Sequence, residues 1–234
     1  MFDLFINQVE NDFKITLSNE QKKQFLDYYH LLIEYNKKVN LTSITEEIEV
    51  YMKHFYDSLT MIHVLDLNKV ETICDMGAGA GFPSLPLKII YPHLDITIID
   101  SLGKRINFLK ELLEELKIND VKLVYDRIEN YAKDHHNSFD VVTARALGSL
   151  PLILELGIPM LKEKHMFVAF KGSNYQDEID QSSHALKVLK SEIVSVETCD
   201  LPMDYGFRSH VVIRKNKDVL GYPRMYQAIK KQLL

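Results

Sequence analysis

Residues 75–83 read DMGAGAGFP, a stretch in which three glycines alternate along the chain and an aspartate stands two residues before the first. Because Gly77, Gly79 and Gly81 lack side chains, they permit unusual dihedral angles and let a ligand approach the backbone closely. Glycine loops that follow a strand usually bind phosphate, but Asp75 places a carboxylate at the entrance of this one. A carboxylate repels phosphate and attracts cations, so the loop favours a ligand with positive charge.

A second acidic residue lies where a nucleoside site would need it. Asp100 ends the apolar segment ITIID, 19 residues after Gly81, and Ser101 follows it. In doubly wound folds, an acidic side chain at this position commonly accepts hydrogen bonds from ribose hydroxyls. The glycine loop and Asp100 together predict an adenosine-containing cofactor, with Ser101 in the same site.

Details of the loop distinguish between such cofactors. NAD and FAD are disfavoured because the dinucleotide fingerprint has a third glycine where this chain has Phe82, and because Asp75 would lie beside a pyrophosphate. No Gly-Lys-Ser/Thr follows, which argues against a P-loop. S-adenosylmethionine has no phosphate and carries an ammonium and a sulfonium, so a carboxylate at the loop entrance is compatible with this cofactor, part of which Phe82 could cover. The alternative is a tight strand-to-helix turn in which Asp75 only caps the next helix.

Short strands alternate with amphipathic helices from Glu71 onward. We predict strands at TICDM, ITIID, VKLVY, FDVVTA, HMFVAFKG, EIVSVET and HVVIRK, and helices at PSLPLKII, KRINFLKELLEELK, PLILELGIPML and EIDQSSHALKVLK. This alternation is typical of an α/β fold with a mostly parallel, doubly wound sheet and helices on both faces. Ligands of such folds lie beyond the carboxyl ends of the strands, where the glycine loop falls.

The first seventy residues have a helical pattern. Ser18 and Gln21 form a predicted capping box at the start of one helix. A second helix is predicted after SITEE, and its apolar face consists of Ile48, Met52, Phe55, Leu59 and Ile62. We interpret residues 1–70 as an N-terminal helical cap on a sheet domain, residues 71–234, that ends in a basic segment.

The composition excludes several classes of protein. With 234 residues, 46% hydrophobic and 26% charged, the chain fits one globular domain. No apolar run matches a membrane span and the start is acidic, so we expect a cytoplasmic monomer without a membrane partner. Cys74 and Cys199 lack partners at zinc spacing, which predicts no metal site. The net charge is -5, yet the chain from Tyr205 onward has seven basic residues and one acidic residue.

Longer stretches of the chain carry a resemblance to a known family. They are DMGAGAGFPSLPLKI, IIDSLGKRINFLKEL, RIENYA, FDVVTARAL and FVAFKG, with YNKKVNLTSI and HFYDSL before the glycine loop. These stretches resemble the bacterial small-subunit ribosomal RNA guanine-N7 methyltransferases, also called glucose-inhibited division protein B. The chain departs from that family at Ser84, where glycine is frequent, and after Pro223 and Arg224, where the usual proline-rich stretch is missing.

The resemblance implies a Rossmann-like, S-adenosylmethionine-dependent methyltransferase that modifies N7 of one guanine in the decoding region of 16S ribosomal RNA. It also implies cofactor contacts by five residues, namely Gly77, Phe82, Ile128, Glu129 and Arg145. The expected partner is 16S ribosomal RNA or a small-subunit ribosomal particle. N7 of a paired guanine lies in the deep, narrow major groove of A-form RNA, so the target is expected to be unpaired or distorted.

The chemistry implied by the resemblance agrees with the residue types present. Guanine N7 has a free lone pair, so its methylation needs no general base, and the sequence has no catalytic triad or paired carboxylates at the strand ends. Orientation alone is worth roughly 7 to 11 kcal/mol in such a reaction. Arg145 is the candidate for positioning the cofactor, the guanine O6 or a phosphate. The alternative is a structural ion pair between Arg145 and Glu129 or Asp100.

Phosphate contacts must come from local basic patches. The candidates are Lys104, Arg105, Lys171, Arg208 and Arg224, each of which could instead belong to a solvated face.

Two other functions are compatible with the sequence. One is a methyltransferase that acts on a small molecule or a protein, which would not need the basic end. The other is a non-catalytic RNA-binding or ribosome assembly factor, which would not bind the cofactor.

Overall fold

The computed structural model describes all 234 residues, and a seven-stranded sheet forms its centre. The strands are β1 (Thr72–Met76), β2 (Asp95–Asp100), β3 (Val121–Tyr125), β4 (Phe139–Arg145), β5 (Leu161–Lys171), β6 (Ser191–Asp200) and β7 (Phe207–Lys215). Their order across the sheet is β3-β2-β1-β4-β5-β7-β6. Strands β1 to β5 are parallel, and β7 runs antiparallel to β5 and β6. The predicted α/β fold with a mostly parallel sheet is confirmed.

Helices cover both faces of the sheet and form the N-terminal region. They are α1 (Phe2–Phe13), α2 (Asn19–Asn36), α3 (Glu47–Val50), α4 (Asp57–Leu59), α5 (Ser84–Ile90), α6 (Gly103–Glu115), α7 (Ile128–Asp134), α8 (Leu150–Gly157), α9 (Tyr175–Gln181), α10 (Ser183–Val188) and α11 (Tyr226–Lys231). Neither length nor apolar character suffices for any of them to cross a membrane.

Two predicted helices differ from the observed ones. The predicted helix EIDQSSHALKVLK is interrupted at Ser182, which separates α9 from α10. The Ser182 hydroxyl donates a hydrogen bond to the backbone oxygen of Glu178. The predicted helix after SITEE consists of α3, a π-helical turn at Tyr51–Tyr56, α4 and a 3-10 turn at Thr60–His63. The π-helical turn buries Tyr51 and Tyr56 as well as the predicted Met52 and Phe55.

The predicted capping box at the start of α2 is confirmed. The Ser18 hydroxyl accepts a hydrogen bond from the Gln21 backbone N–H at 3.2 Å, and the Gln21 side-chain oxygen accepts from Ser18 N–H at 2.9 Å. The amide nitrogen of the Gln21 side chain also donates to the Ile89 backbone oxygen at 2.8 Å. Gln21 therefore both caps the start of α2 and attaches this helix to α5 of the sheet domain.

The N-terminal helices share a hydrophobic core with one face of the sheet. A cluster of 36 buried residues includes Phe5 and Phe25 from the helices, together with Ile73 and Ile96 from the strands. The buried Tyr28 hydroxyl donates to the Ala80 backbone oxygen in the glycine loop at 2.5 Å. The helical region is thus bonded directly to the loop that the sequence marks as a ligand site.

The strand order places the glycine loop at the topological switch point. The chain proceeds from β1 to β2 and β3 on one side, and then returns to place β4 on the other side of β1. Met76 of β1 lies opposite Ala144 of β4, so the loop that begins at Gly77 faces Arg145 at the end of β4. Ligand sites of doubly wound folds lie in this crevice.

Candidate functional site: a three-part groove at the strand ends

A cleft of about 240 Å³ lies beyond the carboxyl ends of β1 and β2. Five residues predicted for the cofactor site line it, namely Gly77, Asp100, Ser101, Ile128 and Glu129. The side chains of Leu147, Leu152 and Leu156 supply apolar surface on its wall. The structure therefore brings together residues from four separate stretches of the chain around a space that combines polar and apolar lining.

The glycine loop and Asp100 are fixed in place by hydrogen bonds at the edge of the cleft. The backbone N–H of Gly77 donates to the Ile99 backbone oxygen at 2.8 Å, which holds the loop against the end of β2. Asp100 is 3% exposed, and its two carboxylate oxygens accept hydrogen bonds from Leu102 N–H at 2.9 Å and from the Arg105 guanidinium at 3.1 Å. Each oxygen has a second lone pair, so the carboxylate can still accept a ribose hydroxyl.

Glu129 reaches the cleft as part of an ion pair. Its carboxylate is 5% exposed and pairs with the Arg127 guanidinium, which in turn lies 4.3 Å from the ring centre of Tyr226. Both Arg127 and Tyr226 line the cleft, although neither was a predicted site residue. Arg127 is adjacent in sequence to the predicted Ile128, whereas nothing in the local sequence around Tyr226 indicates its position.

A second cavity of about 190 Å³ surrounds the glycine loop and shares Gly77, Arg105 and Leu147 with the first. Phe82 lines this cavity and stacks on Tyr28 and on His54, with 5.4 Å and 4.6 Å between the ring centres. The Arg145 guanidinium lies 5.0 Å from the centre of the same ring, so three neighbours hold Phe82 in place at the edge of the cavity.

Arg145 lies in a network centred on a buried carboxylate. Asp57 is fully buried and binds Arg145 Nη1 at 2.8 Å, while Arg208 contacts both of its oxygens at 2.5 and 2.7 Å. The alternative ion pair of Arg145 with Glu129 or Asp100 is wrong, since those carboxylates pair with Arg127 and Arg105. Arg145 Nη2 has only a 3.4 Å contact, with His54 Nδ1, and keeps donor capacity toward the groove.

His54 is a neutral ring within this network. Burial, together with the adjacent Arg145 cation, lowers the pKa of His54 to about 3. Its Nε2 lies 2.9 Å from the Thr42 hydroxyl, which fixes the orientation of the ring. With so low a pKa His54 is a weak base, so its observed roles are to stack on Phe82 and to contact Arg145. Neither His54 nor Asp57 was a predicted site residue.

A third cavity, of about 510 Å³, shares His54, Arg145 and Ala146 with the second. Its lining is basic and aromatic and comprises, among others, Lys53, Phe170, Lys171, Tyr205, Phe207 and Arg208. Because neighbouring cavities share lining residues, the three lie side by side from Asp100, past the glycine loop and Arg145, to this basic end, and this row of cavities is called the groove here. Ala146, at the junction, has a φ of 55°, and backbone conformations of this kind concentrate at functional sites.

Asp75 does not line any of these three cavities. It is fully buried beneath the loop, and its Oδ2 accepts a hydrogen bond from the Ser84 backbone N–H at 3.2 Å, which is the helix contact that the alternative interpretation requires. Its Oδ1 is buried without a hydrogen-bond partner. Burial raises the pKa of Asp75 to about 7. Contact between Asp75 and a cofactor remains a prediction.

The predicted RNA-binding residues lie in different environments. Lys104 is exposed and has no ion-pair partner, whereas Arg105 pairs with Asp100. Lys171 is 6% exposed, and its Nζ lies 2.6 Å from both the Glu178 carboxylate and the Gly148 backbone oxygen. Arg208 pairs with Asp57, and Arg224 is bound to the buried Glu155. RNA contact stays a prediction for all five, with Lys104 the most available.

Two glycines of the loop should respond differently to alanine. Both have positive φ, 98° at Gly81 and 62° at Gly79, so a Cβ costs about 1 to 2 kcal/mol at either. A Cβ at Gly81 would also lie 2.6 Å from Leu85 Cδ1 and from the Tyr28 hydroxyl, whereas one at Gly79 meets nothing within 4 Å. We expect Gly81→Ala to lose about 2 kcal/mol more unfolding free energy than Gly79→Ala in urea titrations. Equal losses would contradict the packing described for Gly81.

Comparison with known proteins agrees with this geometry. The sequence profile of the family described as rRNA small subunit methyltransferase G matches residues 21–206. The chain belongs to this family. It is 47% identical to the ribosomal RNA small subunit methyltransferase G of Acholeplasma laidlawii over 97% of this chain and 98% of the relative. The Bacillus subtilis protein of the same name is also 47% identical, over 90% of this chain and 89% of the relative.

Solved structures support the fold of this family member. The TYW2 protein of M. jannaschii, crystallised in complex with AdoMet, superimposes with a TM-score of 0.52 and 17% sequence identity, over 64% of this chain and 70% of that one. At this identity the likeness concerns the fold alone. The predicted Rossmann-like, S-adenosylmethionine-dependent methyltransferase fold and the predicted family are confirmed.

The groove of this methyltransferase G family member fits the methyl donor. Gly79 opens onto space in which a side chain would meet nothing, so the loop can accept a ligand close to its backbone. In the cleft, the Asp100 carboxylate offers further acceptor sites and three leucine side chains offer apolar surface, a combination that can hold a ribose and a base.

Proposed function

We propose that this protein transfers the methyl group of S-adenosylmethionine to N7 of one guanine in 16S ribosomal RNA. The observation that carries the proposal is the adjacency of the cavities, which places the cleft at Gly77 and Asp100 next to the cavity around the glycine loop and Arg145, and that cavity next to the one lined by Lys53, Tyr205 and Phe207. One end has the lining expected for the methyl donor, and the other has the lining expected for a nucleotide of an RNA chain.

The cofactor end would be formed by Gly77, Asp100, Ile128 and Glu129, with Asp75 below the loop. The bound cofactor supplies an electrophilic methyl group on a sulfonium. Asp100 is suited to the ribose hydroxyls. Burial raises the pKa of Asp75 to about 7, and an approaching cation would favour the ionised form of its carboxyl. Phe82 and the residues stacked on it exclude water from the middle of the groove.

The acceptor chemistry needs orientation and no strong base. The lone pair of guanine N7 is free at neutral pH, and His54, the ring nearest the middle of the groove, has too low a pKa to act as an effective base. Arg145 Nη2 has hydrogen-bond donor capacity left, and the guanine O6, beside N7, is an acceptor that it suits. Arg145 is itself fixed by Asp57, so it would position the base without moving.

The basic end of the groove suits an unpaired nucleotide. Tyr205 and Phe207 line it, and aromatic rings are the surfaces on which single-stranded bases stack. Lys53 lies in the same cavity, 5.3 Å from the ring centre of Tyr205. It pairs with Glu49 one helical turn away, and because this pair is partly exposed and therefore weak, Lys53 can exchange Glu49 for a phosphate. Because N7 of a paired guanine is inaccessible in A-form RNA, the cavity supports an unpaired target in free RNA or in a small-subunit particle.

The decisive experiment uses labelled S-adenosylmethionine with small ribosomal subunits, naked 16S ribosomal RNA and, as a control, a protein-only extract. We expect label in RNA at a single guanine, which chemical cleavage at N7-methylated positions would locate. Label in the protein extract alone would indicate a different substrate class. A protein that binds the cofactor but labels neither RNA sample would overturn the proposed function.

Binding of 16S ribosomal RNA should weaken as salt rises, because phosphate contacts release counterions. Each contact to single-stranded nucleic acid contributes a slope of about -0.7 in a plot of log affinity against log salt concentration. Contacts by Lys53, Lys104 and Arg105 would give a slope of about -2. Replacing Lys104 with alanine should make the slope less negative by about 0.7, the contribution of one contact. Lys14→Ala, at an exposed position directly after α1 that lines none of the three cavities, should not change the slope. A flat dependence in filter-binding assays contradicts this model of the RNA surface.

A further inference from the structure

The C-terminal segment, residues 222–234, is held against the sheet domain by buried contacts. The Arg224 guanidinium binds both carboxylate oxygens of Glu155, at 2.7 and 2.6 Å, and the Arg224 backbone N–H donates to the same carboxylate at 3.1 Å. Glu155 is fully buried in α8, so Arg224 neutralises a carboxylate that would otherwise be unpaired in the core. Arg224 is therefore already committed to an internal contact.

Helix α11 within this segment packs into the core of the sheet domain. Ile229 is fully buried in the hydrophobic cluster that also contains Leu154 of α8 and Tyr131 of α7. The Lys230 and Lys231 side chains on the same helix are exposed. The segment is thus anchored at Arg224 and at Ile229, on either side of Tyr226.

Tyr226 lies between these two anchors and forms part of the cofactor cleft. Its ring lines the 240 Å³ cleft together with Asp100, Ile128 and Glu129. The Arg127 guanidinium lies against the ring at 4.3 Å from its centre and pairs with Glu129. Tyr226 is nevertheless 39% exposed, so part of its ring remains uncovered by protein.

We infer that the C-terminal segment is a clasp that completes the cofactor cleft, and that Tyr226 is a cofactor-binding residue. This inference rests on the proposed use of S-adenosylmethionine in that cleft. The ring of Tyr226 and the guanidinium of Arg127 provide flat surfaces at the end of the cleft where Asp100 and Ile128 lie, the end suited to the nucleoside. Stacking between an aromatic ring and a base is tolerant of small displacements and adds affinity without any catalytic role. The basic end of the chain would then contribute mainly to cofactor binding.

Isothermal titration with S-adenosylhomocysteine tests the clasp without any methyl transfer. We expect Tyr226→Ala to raise the Kd about tenfold, and Tyr226→Phe, which keeps the ring, to stay within about threefold of the unchanged protein. Lys230→Ala, an exposed position on the same helix, is the matched control and should leave the Kd unchanged. Since Tyr226 is partly exposed, its replacement should leave the thermal unfolding midpoint nearly unaltered.

Trypsin digestion supplies a second measurement, because Lys230 and Lys231 offer cleavage sites within the clasp. S-adenosylhomocysteine should slow cleavage there in the unchanged protein and protect much less in Tyr226→Ala. An unaltered Kd for Tyr226→Ala, or a loss of affinity for 16S ribosomal RNA with cofactor affinity intact, would overturn the clasp. If the unchanged protein binds S-adenosylhomocysteine but never methylates RNA, the proposed function fails while the clasp stands.

Discussion

Replacing Arg145 with alanine should slow methyl transfer to 16S ribosomal RNA about 100-fold or more, while the Kd for S-adenosylhomocysteine changes much less. Arg145 lies where the second and third cavities meet, and its Nη2 is the donor that the internal network leaves available. A displacement of about 1 Å in the acceptor can reduce a rate about 100-fold when catalysis depends on orientation. Single-turnover methylation and isothermal titration on the same preparation separate the two effects.

The surrounding network provides the controls for this prediction. Arg145→Ala leaves Asp57 paired with Arg208 through two contacts, so the fold should survive. Arg145→Lys keeps a cation but loses the planar guanidinium, and we expect it to fold and remain impaired. Asp57→Ala, in contrast, leaves two guanidinium groups without their buried partner and should lower the unfolding free energy by about 3 to 5 kcal/mol. Near-normal methylation by Arg145→Ala would show that Arg145 is only structural.

The sheet and the cofactor cleft could be predicted because their signals are local in sequence. Gly77 follows one short apolar strand and Asp100 ends the next, so the rule that ligands lie at the carboxyl ends of parallel strands brings them together. The capping box at Ser18 is equally local, since its two partners are three residues apart. Each of these features needs only a short window of sequence and a general rule of chain geometry.

The carboxylate partners of Arg145, Arg208 and Arg224 could not be predicted, because they are distant in sequence. Asp57 and Arg208 are 151 residues apart, and Arg224 and Glu155 are 69 apart. The count of basic residues in the C-terminal region indicates an RNA-binding surface, yet several of these cations neutralise buried or half-buried carboxylates. A count of basic residues does not show which carboxylate each one pairs with. Pairing with residues distant in sequence determines which cations remain available to bind phosphate. The position of Tyr226 in the cleft could not be predicted for the same reason, because it depends on how the C-terminal segment packs against the sheet domain.

The Asp75→Asn variant should be more stable than the unchanged protein, and its advantage should grow with pH. Burial raises the pKa of Asp75 from 3.8 to about 7, so the folded state favours the neutral carboxyl. The stability associated with this raised pKa is fully present below pH 3.8 and is lost as pH rises through about 7. Asparagine stays neutral and keeps an acceptor for Ser84 N–H, so the variant should gain about 2 to 4 kcal/mol at pH 8 and little at pH 4.

Urea unfolding at pH 4, 6 and 8 measures this difference, and an advantage independent of pH would contradict the assigned environment of Asp75. A carboxylate that weakens the fold near neutral pH needs a partner elsewhere, and its Oδ1 has none in the protein. If the ammonium of the cofactor approaches it, binding must lower the pKa of Asp75 and release a proton near pH 6.5. Titrations with S-adenosylhomocysteine in buffers of different ionisation enthalpy should detect that proton with Asp75 and not with Asn at this position. Equal proton release from both proteins would show that Asp75 only contacts the start of α5, through Ser84, and does not interact with the cofactor.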